Sequence, residues 1–420
     1  MKINVGESSA EEVLDYYLHQ IEEEAGSAHK EGRLVCWSAA LAPAEFCEAM
    51  DVSVVYPEIH AAVFAPGKGN TGLLEAAARK GYGRGLCSCA RNSIGFMEML
   101  KQRTAFGSAP EALQESGAAR VSLPDFVFVC NNICDAVLKW YEALARELAI
   151  PCIILDVPYN HTMPVSRHNK EYLAAQFLDV IKKLERICKK PFDYEKFYQA
   201  QVQTQRTVYQ WKRVAALAFR KPSPLNGFDL FKYMEIVVMC RPKMAGEIVL
   251  RKFADELEAD AAGGRFAYGE AGEEKYRVTW EGNAVWPFFN LTGRTFKETG
   301  SLLAGAGVPG MWNITYIPGD LASMAEAYSS IYLNCGAPYR YEELCRIVES
   351  SQSEGIVFHI DHSCKIASFL HREGAEYVQD RNGVPFTYFD GDQADPEVFT
   401  GAQFENRLRE LTEKMEIRKS

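Results

Sequence analysis

The hydrophobic positions of the first 165 residues fall into two alternating patterns. Short, nearly continuous runs of apolar, β-prone residues are separated by stretches in which apolar residues recur at helical spacing. The runs predict strands at residues 33–37, 52–56, 125–130 and 151–156. The spaced stretches predict helices at residues 44–50, 72–80 and 136–148. Because apolar strands that alternate with helices form mostly parallel sheets covered on both faces, we expect an α/β domain here.

The pattern changes in the middle of the chain. Residues from about 170 to 261 carry apolar positions at helical spacing with almost no strand signal, and Gly263-Gly264 marks the end of this segment. Strands are predicted again at residues 276–280, 355–360 and 386–389, followed by a helix at 403–419. The sequence therefore predicts an α/β protein. Its two doubly wound, mostly parallel-sheet domains, 1–165 and 265–420, are separated by a helical segment, 166–264, with a ligand cleft between the domains.

Composition narrows the class of protein. The chain has 420 residues, of which 47% are apolar and 24% charged, as in ordinary globular proteins. A net charge of −10 argues against a general nucleic-acid surface, which needs a basic face. No apolar run reaches the roughly 18 residues of a membrane span, and no basic stretch followed by an apolar core suggests a signal peptide. We expect a cytoplasmic protein without a nucleic-acid or membrane partner.

Twelve cysteines in a large cytoplasmic chain do not suggest a disulfide framework. Most are expected to be small buried hydrophobic residues. This interpretation applies to Cys36, Cys47, Cys152, Cys188 and Cys240. Cys335 and Cys345 are left undecided between packing and another role. Two tight CxxC pairs are absent from the sequence, so a structural zinc site is not predicted.

Three other cysteines, Cys87, Cys134 and Cys364, lie in segments that follow or interrupt apolar runs. Open α/β sheets gather functional groups at the carboxyl ends of their strands. One thiolate from each of three such ends can hold three corners of an iron–sulfur cube and leave the fourth iron open. The alternative is that each cysteine merely packs. The residue pattern alone leaves both interpretations open.

Two polar residues at predicted strand ends are candidates for direct chemistry. Glu58 follows Tyr56-Pro57 and is either a surface loop residue or a general base at the sheet edge. Ser38 follows the first predicted strand and is either a helix N-cap or a substrate contact. The pattern does not choose between these roles.

Several separated segments carry a family resemblance. They are Gly32–Ser38 (GRLVCWS), Tyr56-Pro57-Glu58, Cys87–Asn92 (CSCARN), Cys130–Cys134 (CNNIC), Asn226–Phe231 (NGFDLF), Ser363-Cys364-Lys365 and Phe389–Pro396 (FDGDQADP). On these segments the chain resembles, nearly end to end, the 2-hydroxyacyl-CoA dehydratase family, which includes the class I benzoyl-CoA reductase subunits. Within the family it resembles the α subunits of the (R)-2-hydroxyisocaproyl-CoA type.

The resemblance implies a cofactor and its ligands. Cys87, Cys134 and Cys364 would bind one [4Fe–4S] cluster, in the cleft between the domains, with one iron open to water or substrate. Cys89 and Cys130 are the alternate ligands, because each is close in sequence to a preferred one. Glu58 matches the position of the family's proposed active-site carboxylate.

The chain departs from the family pattern at two positions. Ala40 stands where related α subunits carry a serine, and His362 stands where an arginine often precedes Ser363. If the family serine orients the thioester, that role falls here to Ser38, to a backbone N–H, or to no group. The resemblance thus makes Ser38 a second catalytic candidate beside Glu58.

The implied activity is an oxygen-sensitive hydro-lyase of anaerobic amino-acid fermentation. It would eliminate water from an (R)-2-hydroxyacyl-CoA to give the (E)-2-enoyl-CoA through a substrate ketyl radical. One electron on the thioester carbonyl lets the α-hydroxyl leave and acidifies the β-hydrogen, which a carboxylate such as Glu58 can remove before the electron is returned. Alternatives are a subunit of a benzoyl-CoA-reductase-like electron-transferring enzyme and a non-catalytic cluster-bearing protein.

The resemblance also implies partners. A homologous β subunit would carry its own cluster, and a separate ATP-hydrolysing iron–sulfur activator would inject the electron. The sequence contains no GxxxxGK[ST] motif, so ATP is expected to be used elsewhere. Candidate contacts to the acyl-CoA substrate are Lys68, Lys80 and Arg84.

Overall fold

A computed structural model of the chain describes residues 3–67, 69–106, 121–269 and 274–419. These residues contain two four-stranded sheets in which all paired strands are parallel. The first sheet consists of β1 (Val35–Ser38), β2 (Ser53–Val55), β3 (Phe126–Cys130) and β4 (Cys152–Leu155). The second consists of β5 (Tyr276–Glu281), β6 (Ser301–Ala306), β7 (Gly355–Asp361) and β8 (Phe386–Gly391).

The two sheets have the same topology. Their strand orders are β2-β1-β3-β4 and β6-β5-β7-β8, so in each sheet the first strand lies between the second and the third. The second strand therefore lies on one side of the first strand, and the third and fourth strands lie on its other side. Such a reversal opens a crevice at the carboxyl ends of the first and third strands, where open α/β sheets bind ligands.

Helices surround and join the sheets. Those of the first part are α1 (Ala10–Ser27), α2 (Glu45–Glu48), α3 (Pro57–Phe64), α4 (Gly69–Arg79), α5 (Ser88–Phe106) and α6 (Asp135–Leu148). The helical segment contains α7 (Arg167–Cys188), α8 (Tyr194–Ala218), α9 (Gly227–Cys240) and α10 (Met244–Ala262). The last part contains α11 (Phe289–Glu298), α12 (Gly307–Gly310), α13 (Leu321–Ser329), α14 (Ala337–Ser350), α15 (Lys365–Ser368), α16 (His371–Asn382) and α17 (Gly401–Lys419).

The core follows from the apolar strands. Every residue of β3 and β5 is buried, as expected for parallel strands covered on both faces. One large cluster of buried side chains extends from the first sheet through the helical segment to the second sheet. A smaller cluster lies where α14 and α16 pack on β7, and it includes Cys345 and Phe358. The packing of these two clusters thus holds the carboxyl ends of the strands, where most of the candidate site residues follow, in place.

The predicted fold class, two α/β parts with parallel sheets separated by helices, is confirmed, whereas the domain boundaries stay predictions. The sequence analysis missed β6, whose residues SLLAGA include alanine and glycine, both poor strand formers. Pairing with the central β5 and burial on both faces override that local preference. All twelve cysteines are free thiols. Among the described helices, none is long and apolar enough to cross a bilayer.

Candidate active site

Cys87, Cys134 and Cys364 each lie directly before a helix. Cys87 precedes α5, Cys364 precedes α15, and Cys134 is the N-cap of α6, where its Sγ accepts a hydrogen bond from the Val137 amide at 3.4 Å. Unpaired N–H groups at the start of a helix favour a negative charge and help a cysteine to ionise. The longer helices α5 and α6 therefore direct N–H groups toward Cys87 and Cys134, where they would stabilise a metal-bound thiolate.

Contacts between the two sheets bring these three cysteines together. The Ser88 amide donates a hydrogen bond to the Ser363 hydroxyl at 3.0 Å, so the neighbours of Cys87 and Cys364 touch. Cys364 interacts electrostatically with Cys87 and Cys134, and Cys134 interacts with Cys87. Segments separated by tens to hundreds of residues thus converge on one place.

Two buried polar contacts hold this junction. Arg91 of α5 forms an ion pair with Asp395 at 2.9 Å, and both side chains are almost fully buried. The Asn70 side-chain amide donates a hydrogen bond to the Ala394 carbonyl at 2.7 Å. A buried ion pair of this kind fixes geometry more than it adds stability, because desolvation offsets much of the attraction. The segment after β8 is therefore held against α4, which precedes Cys87, and α5, which follows it.

Burial sets the protonation of these thiols. It raises the pKa of Cys134 to about 12 and the pKa of Cys364 well above its ordinary value, and nearby negative groups add to both shifts. The pKa of Cys87 is lowered, chiefly because the Cys89 thiol donates a hydrogen bond to it. A bound metal ion deprotonates a coordinating thiol outright, so a positively charged iron group suits this buried donor set.

The structure contains no site for a single metal ion at these three thiols in its described residues. Within the described ranges, no group of three or more His, Cys, Asp or Glu side chains lies close enough together to hold one metal ion. The thiolates of an iron–sulfur cube bind different irons and so stand further apart than the ligands of a single ion. The three thiols are therefore not arranged as the ligands of one ion, and a [4Fe–4S] cluster at this place stays a prediction.

Asp361 holds the loop that carries Cys364. It ends β7, is almost fully buried, and its Oδ1 accepts hydrogen bonds from the amides of Ser363 and Cys364 at 3.2 and 3.1 Å. Its Oδ2 accepts a hydrogen bond at 3.0 Å from the side chain of Asn283, which follows β5. The carboxylate thus bridges the loops on both sides of the crevice in the second sheet.

The two alternate ligands are engaged in hydrogen bonds of their own. Cys130 ends β3, is fully buried, and donates its S–H to Asn132 Oδ1 at 2.7 Å. Burial raises the pKa of Cys130, whereas the pKa of Cys89 is raised first by the hydrogen bond that it donates to Cys87 and then by burial. The choice of Cys87, Cys134 and Cys364 as ligands stays a prediction.

Glu58 lies in the first turn of α3, directly after Pro57 at the first helical position, where a carboxylate is favoured. Its Oε1 accepts a hydrogen bond from the Ala40 amide at 3.2 Å, and its Oε2 accepts one from the Tyr141 hydroxyl at 2.7 Å. Glu58 is partly buried, and the loss of water outweighs these donors and raises its pKa to about 7. A carboxyl group poised near neutral pH can accept and return a proton.

Ser38 ends β1 and is fully buried. Its hydroxyl donates a hydrogen bond to the Ala39 carbonyl at 3.2 Å, and α2 begins only at Glu45 without a side-chain cap. The helix N-cap interpretation of Ser38 is therefore wrong. Its backbone takes part in the site instead, because the Ser38 carbonyl accepts a hydrogen bond from Tyr141 at 2.8 Å.

A buried arginine from the helical segment holds the loop after β1. Arg241, which follows α9, is fully buried and donates to the carbonyls of Ala40 and Ala42 at 3.4 and 3.3 Å. Its charge is balanced by the fully buried Glu45, which also accepts a 2.6 Å hydrogen bond from Tyr316. Because the Ala40 amide donates to Glu58, Arg241 indirectly positions that carboxylate.

Sequence reasoning missed Tyr141, Arg241 and Asp361 as parts of the site. Tyr141 lies on the apolar face of α6, so the sequence pattern indicates a core residue. Its full burial agrees with that interpretation. The one available signal was that a buried tyrosine hydroxyl requires a hydrogen-bond partner. That partner, Glu58, is 83 residues away and becomes visible only after packing.

The suspected cationic contacts to CoA have partners within the chain. Lys80 forms an ion pair with Glu147 at 3.2 Å, and Arg84 forms one with Glu397. Lys68 lies outside the described residues. These ion pairs do not test whether Lys80 and Arg84 contact CoA, so that role stays a prediction.

Comparison with known proteins identifies what the chain is similar to. The family model described as 2-hydroxyglutaryl-CoA dehydratase, D-component, matches residues 39–415. The lactoyl-CoA dehydratase alpha chain of Anaerotignum propionicum is 47% identical over 409 residues, 97% of this chain and 96% of that protein. The (R)-2-hydroxyisocaproyl-CoA dehydratase alpha subunit of Clostridioides difficile is 38% identical, covering 94% and 93% of the two chains.

Another relative is a benzoyl-CoA reductase subunit of Thauera aromatica, with 22% identity over 87% of this chain and 84% of that protein. The dehydratase α subunits named above are thus nearer in sequence than this reductase subunit. The resemblance read from the sequence segments is confirmed by these matches.

Proposed function

We propose that this chain, which belongs to the 2-hydroxyglutaryl-CoA dehydratase D-component family, is the α subunit of an (R)-2-hydroxyacyl-CoA dehydratase. Such an enzyme is a hydro-lyase that eliminates water to form the (E)-2-enoyl-CoA. The observation that carries this proposal is the convergence of three thiols from different elements. One of them, Cys134, caps the helix α6, whose Tyr141 also contacts the Glu58 carboxylate.

Cys87, Cys134 and Cys364 are proposed to hold a [4Fe–4S] cluster. When bound, the cluster would supply an open iron as Lewis acid for a substrate oxygen and a route for one electron. The chain's part is to present three thiols from separate elements, two of them at the starts of long helices. The Asp361 carboxylate holds the loop of the third thiol through the Cys364 amide.

Glu58 is proposed as the base that removes the β-proton of the substrate. Its carboxylate is oriented by the Ala40 amide and the Tyr141 hydroxyl, and its pKa of about 7 allows it to be ionised before the step and protonated after it. The β-proton of the substrate is only weakly acidic until one-electron reduction of the thioester has let the α-hydroxyl leave. The radical step and the carboxylate therefore belong to one mechanism, in which Ser38 is the second candidate to contact the substrate.

The proposed complex contains further proteins. The α-subunit names of the relatives support a β-subunit partner, which we propose is homologous and carries its own cluster. A separate ATP-hydrolysing iron–sulfur activator is proposed to supply the electron. The cytoplasmic location stays a prediction.

The test is anaerobic turnover by the chain together with its β subunit and an activator. Lactoyl-CoA is the first substrate to offer, because the 47% identical relative is named for it. We expect formation of the enoyl-CoA with no net consumption of electrons. Consumption of reductant in proportion to product, with no enoyl-CoA, would instead support a benzoyl-CoA-reductase-like enzyme.

A further inference from the structure

The Tyr141 hydroxyl has one hydrogen and two close acceptors. Its oxygen lies 2.7 Å from Glu58 Oε2 and 2.8 Å from the Ser38 carbonyl oxygen, and the side chain is fully buried. A phenol donates one hydrogen bond and can accept others. With Glu58 ionised, the hydrogen points at the carboxylate, and the Ser38 carbonyl loses that donor.

Protonation of Glu58 removes this conflict. The carboxylic acid can donate its own hydrogen to the Tyr141 oxygen, and Tyr141 can then donate to the Ser38 carbonyl. All three groups are then satisfied within the same heavy-atom positions. The hydrogen-bond chain from Glu58 through Tyr141 to Ser38 therefore has two directions, one for each protonation state of Glu58.

From this geometry we propose that Tyr141 is a positioning residue for Glu58, which holds the carboxylate in both protonation states by reversing its single hydrogen bond. The proposal rests on the proposed function for its link to turnover, but the hydrogen-bond exchange itself does not. No bond to carbon forms or breaks at Tyr141, and its own proton only changes acceptor.

The other ionisable groups near Glu58 and Tyr141 do not change their charge near neutral pH. Cys130 at the end of β3 and Cys36 on β1 are buried, and burial raises the pKa of both thiols, so they stay neutral. Arg241, which contacts the Ala40 carbonyl, keeps its charge because its pKa is raised by Glu45 and the tyrosines near it. Among these groups Glu58 is the one whose charge changes near neutral pH.

The exchange can be measured by infrared titration of the carboxyl groups in the full-length chain. The band lost in Glu58→Gln identifies Glu58. In the unsubstituted protein this band should titrate with a midpoint near 7. In Tyr141→Phe the ionised form loses a hydrogen bond to a charged group, so the midpoint should rise by about one pH unit.

The matched control is Tyr332→Phe. Tyr332 is also buried and also donates to a buried carboxylate, Glu281, at 3.0 Å, but that pair lies in the second sheet. This variant should leave the Glu58 midpoint unchanged. An unchanged midpoint in Tyr141→Phe, or an equal change in the control, would overturn the proposal.

Turnover by the complete enzyme provides the second readout. In Tyr141→Phe the acid limb of the pH–rate profile should shift to higher pH, by the same amount as the infrared midpoint. A purely structural defect would instead lower the rate equally at every pH. A shifted midpoint in a complex that dehydrates no 2-hydroxyacyl-CoA would refute the proposed function and leave the hydrogen-bond exchange standing. A shifted midpoint with an unshifted rate profile would refute the role of Tyr141 in turnover.

Discussion

The two sheets of this protein share a strand order but hold their buried carboxylates differently. Each sheet places a cysteine after its third strand, Cys134 after β3 and Cys364 after β7. Each also has a glutamate that accepts a hydrogen bond from a buried tyrosine hydroxyl, Glu58 in the first and Glu281 in the second. In both sheets, therefore, a cysteine follows the third strand and a glutamate accepts a hydrogen bond from a buried tyrosine.

The difference lies in exposure and hydrogen bonding. Glu58 is partly open, starts a helix and accepts hydrogen bonds on both oxygens, and the loss of water outweighs these donors and raises its pKa to about 7. Glu281 is the last residue of β5 and only 3% exposed, and its Oε2 packs against Gly307 without a hydrogen-bond partner in the described residues. An open carboxylate with two donors can exchange a proton with a substrate, whereas an enclosed one serves packing.

Removal of one cysteine from either sheet is expected to have the largest effect. Cys134→Ala and Cys364→Ala should each abolish cluster binding and turnover, because under the proposed function both sheets contribute ligands to one cofactor. The measurement is iron and acid-labile sulfide on anaerobically purified protein, where about four of each per chain are expected without substitution. Cys345→Ala, in the small core of the second sheet, is the control and should keep its iron. Full iron in either site variant would show that the cysteines are not ligands.

Exchange of the two glutamates for glutamine tests their different roles directly. Glu58→Gln should keep the iron and lower kcat roughly 10²- to 10⁴-fold, because a general base is removed without a change of shape. Glu281→Gln should keep most of the turnover at equal iron content. Anaerobic kinetics of both variants are the measurement. If Glu281→Gln lost as much activity as Glu58→Gln, the two carboxylates would not differ as described.

The pH dependence of the rate should report Glu58. Its pKa is raised to about 7, and the base must be ionised, so below pH 7 kcat/KM should fall about tenfold per pH unit and above pH 7 it should level off. In the folded protein the protonated form is favoured, so Glu58 contributes stability that is present below its unfolded pKa and is lost as the pH rises through 7. A rate profile flat from pH 5 to 8 would contradict this assignment.

A smaller effect, a loss of stability, is expected when the space around the Glu281 carboxylate is filled. A methyl group at Gly307 would lie 2.2 Å from Glu281 Oε2, so Gly307→Ala should lower the free energy of unfolding by about 1–3 kcal/mol. Gly310→Ala, in the same short helix α12, has no atom within 4 Å of the added carbon and is the control. Thermal unfolding measures both. Equal stability of the two variants would mean that Glu281 moves aside freely.

The sequence predicted the site cysteines and the carboxylate but not their supports. Cys134, Cys364 and Glu58 follow strands, as the apolar runs before them predicted, and the family segments include them. The expectation of a strand end is wrong for Cys87, which lies between two helices, so Cys87 stands out through its family segment alone. Tyr141 does not stand out, because a tyrosine on an apolar helix face is indistinguishable from a core residue until its hydroxyl partner is known.

The sequence by itself determined the parallel α/β class, the helical segment between the two sheets, and the family. Local hydrophobic periodicity reports which residues are buried, and burial on both faces is what parallel strands require. Only the tertiary structure decided that β6 is a strand, that Arg241 holds the loop after β1, and that Tyr141 lies between Glu58 and Ser38. These contacts join residues far apart in the chain, so they depend on packing geometry, which no local pattern encodes.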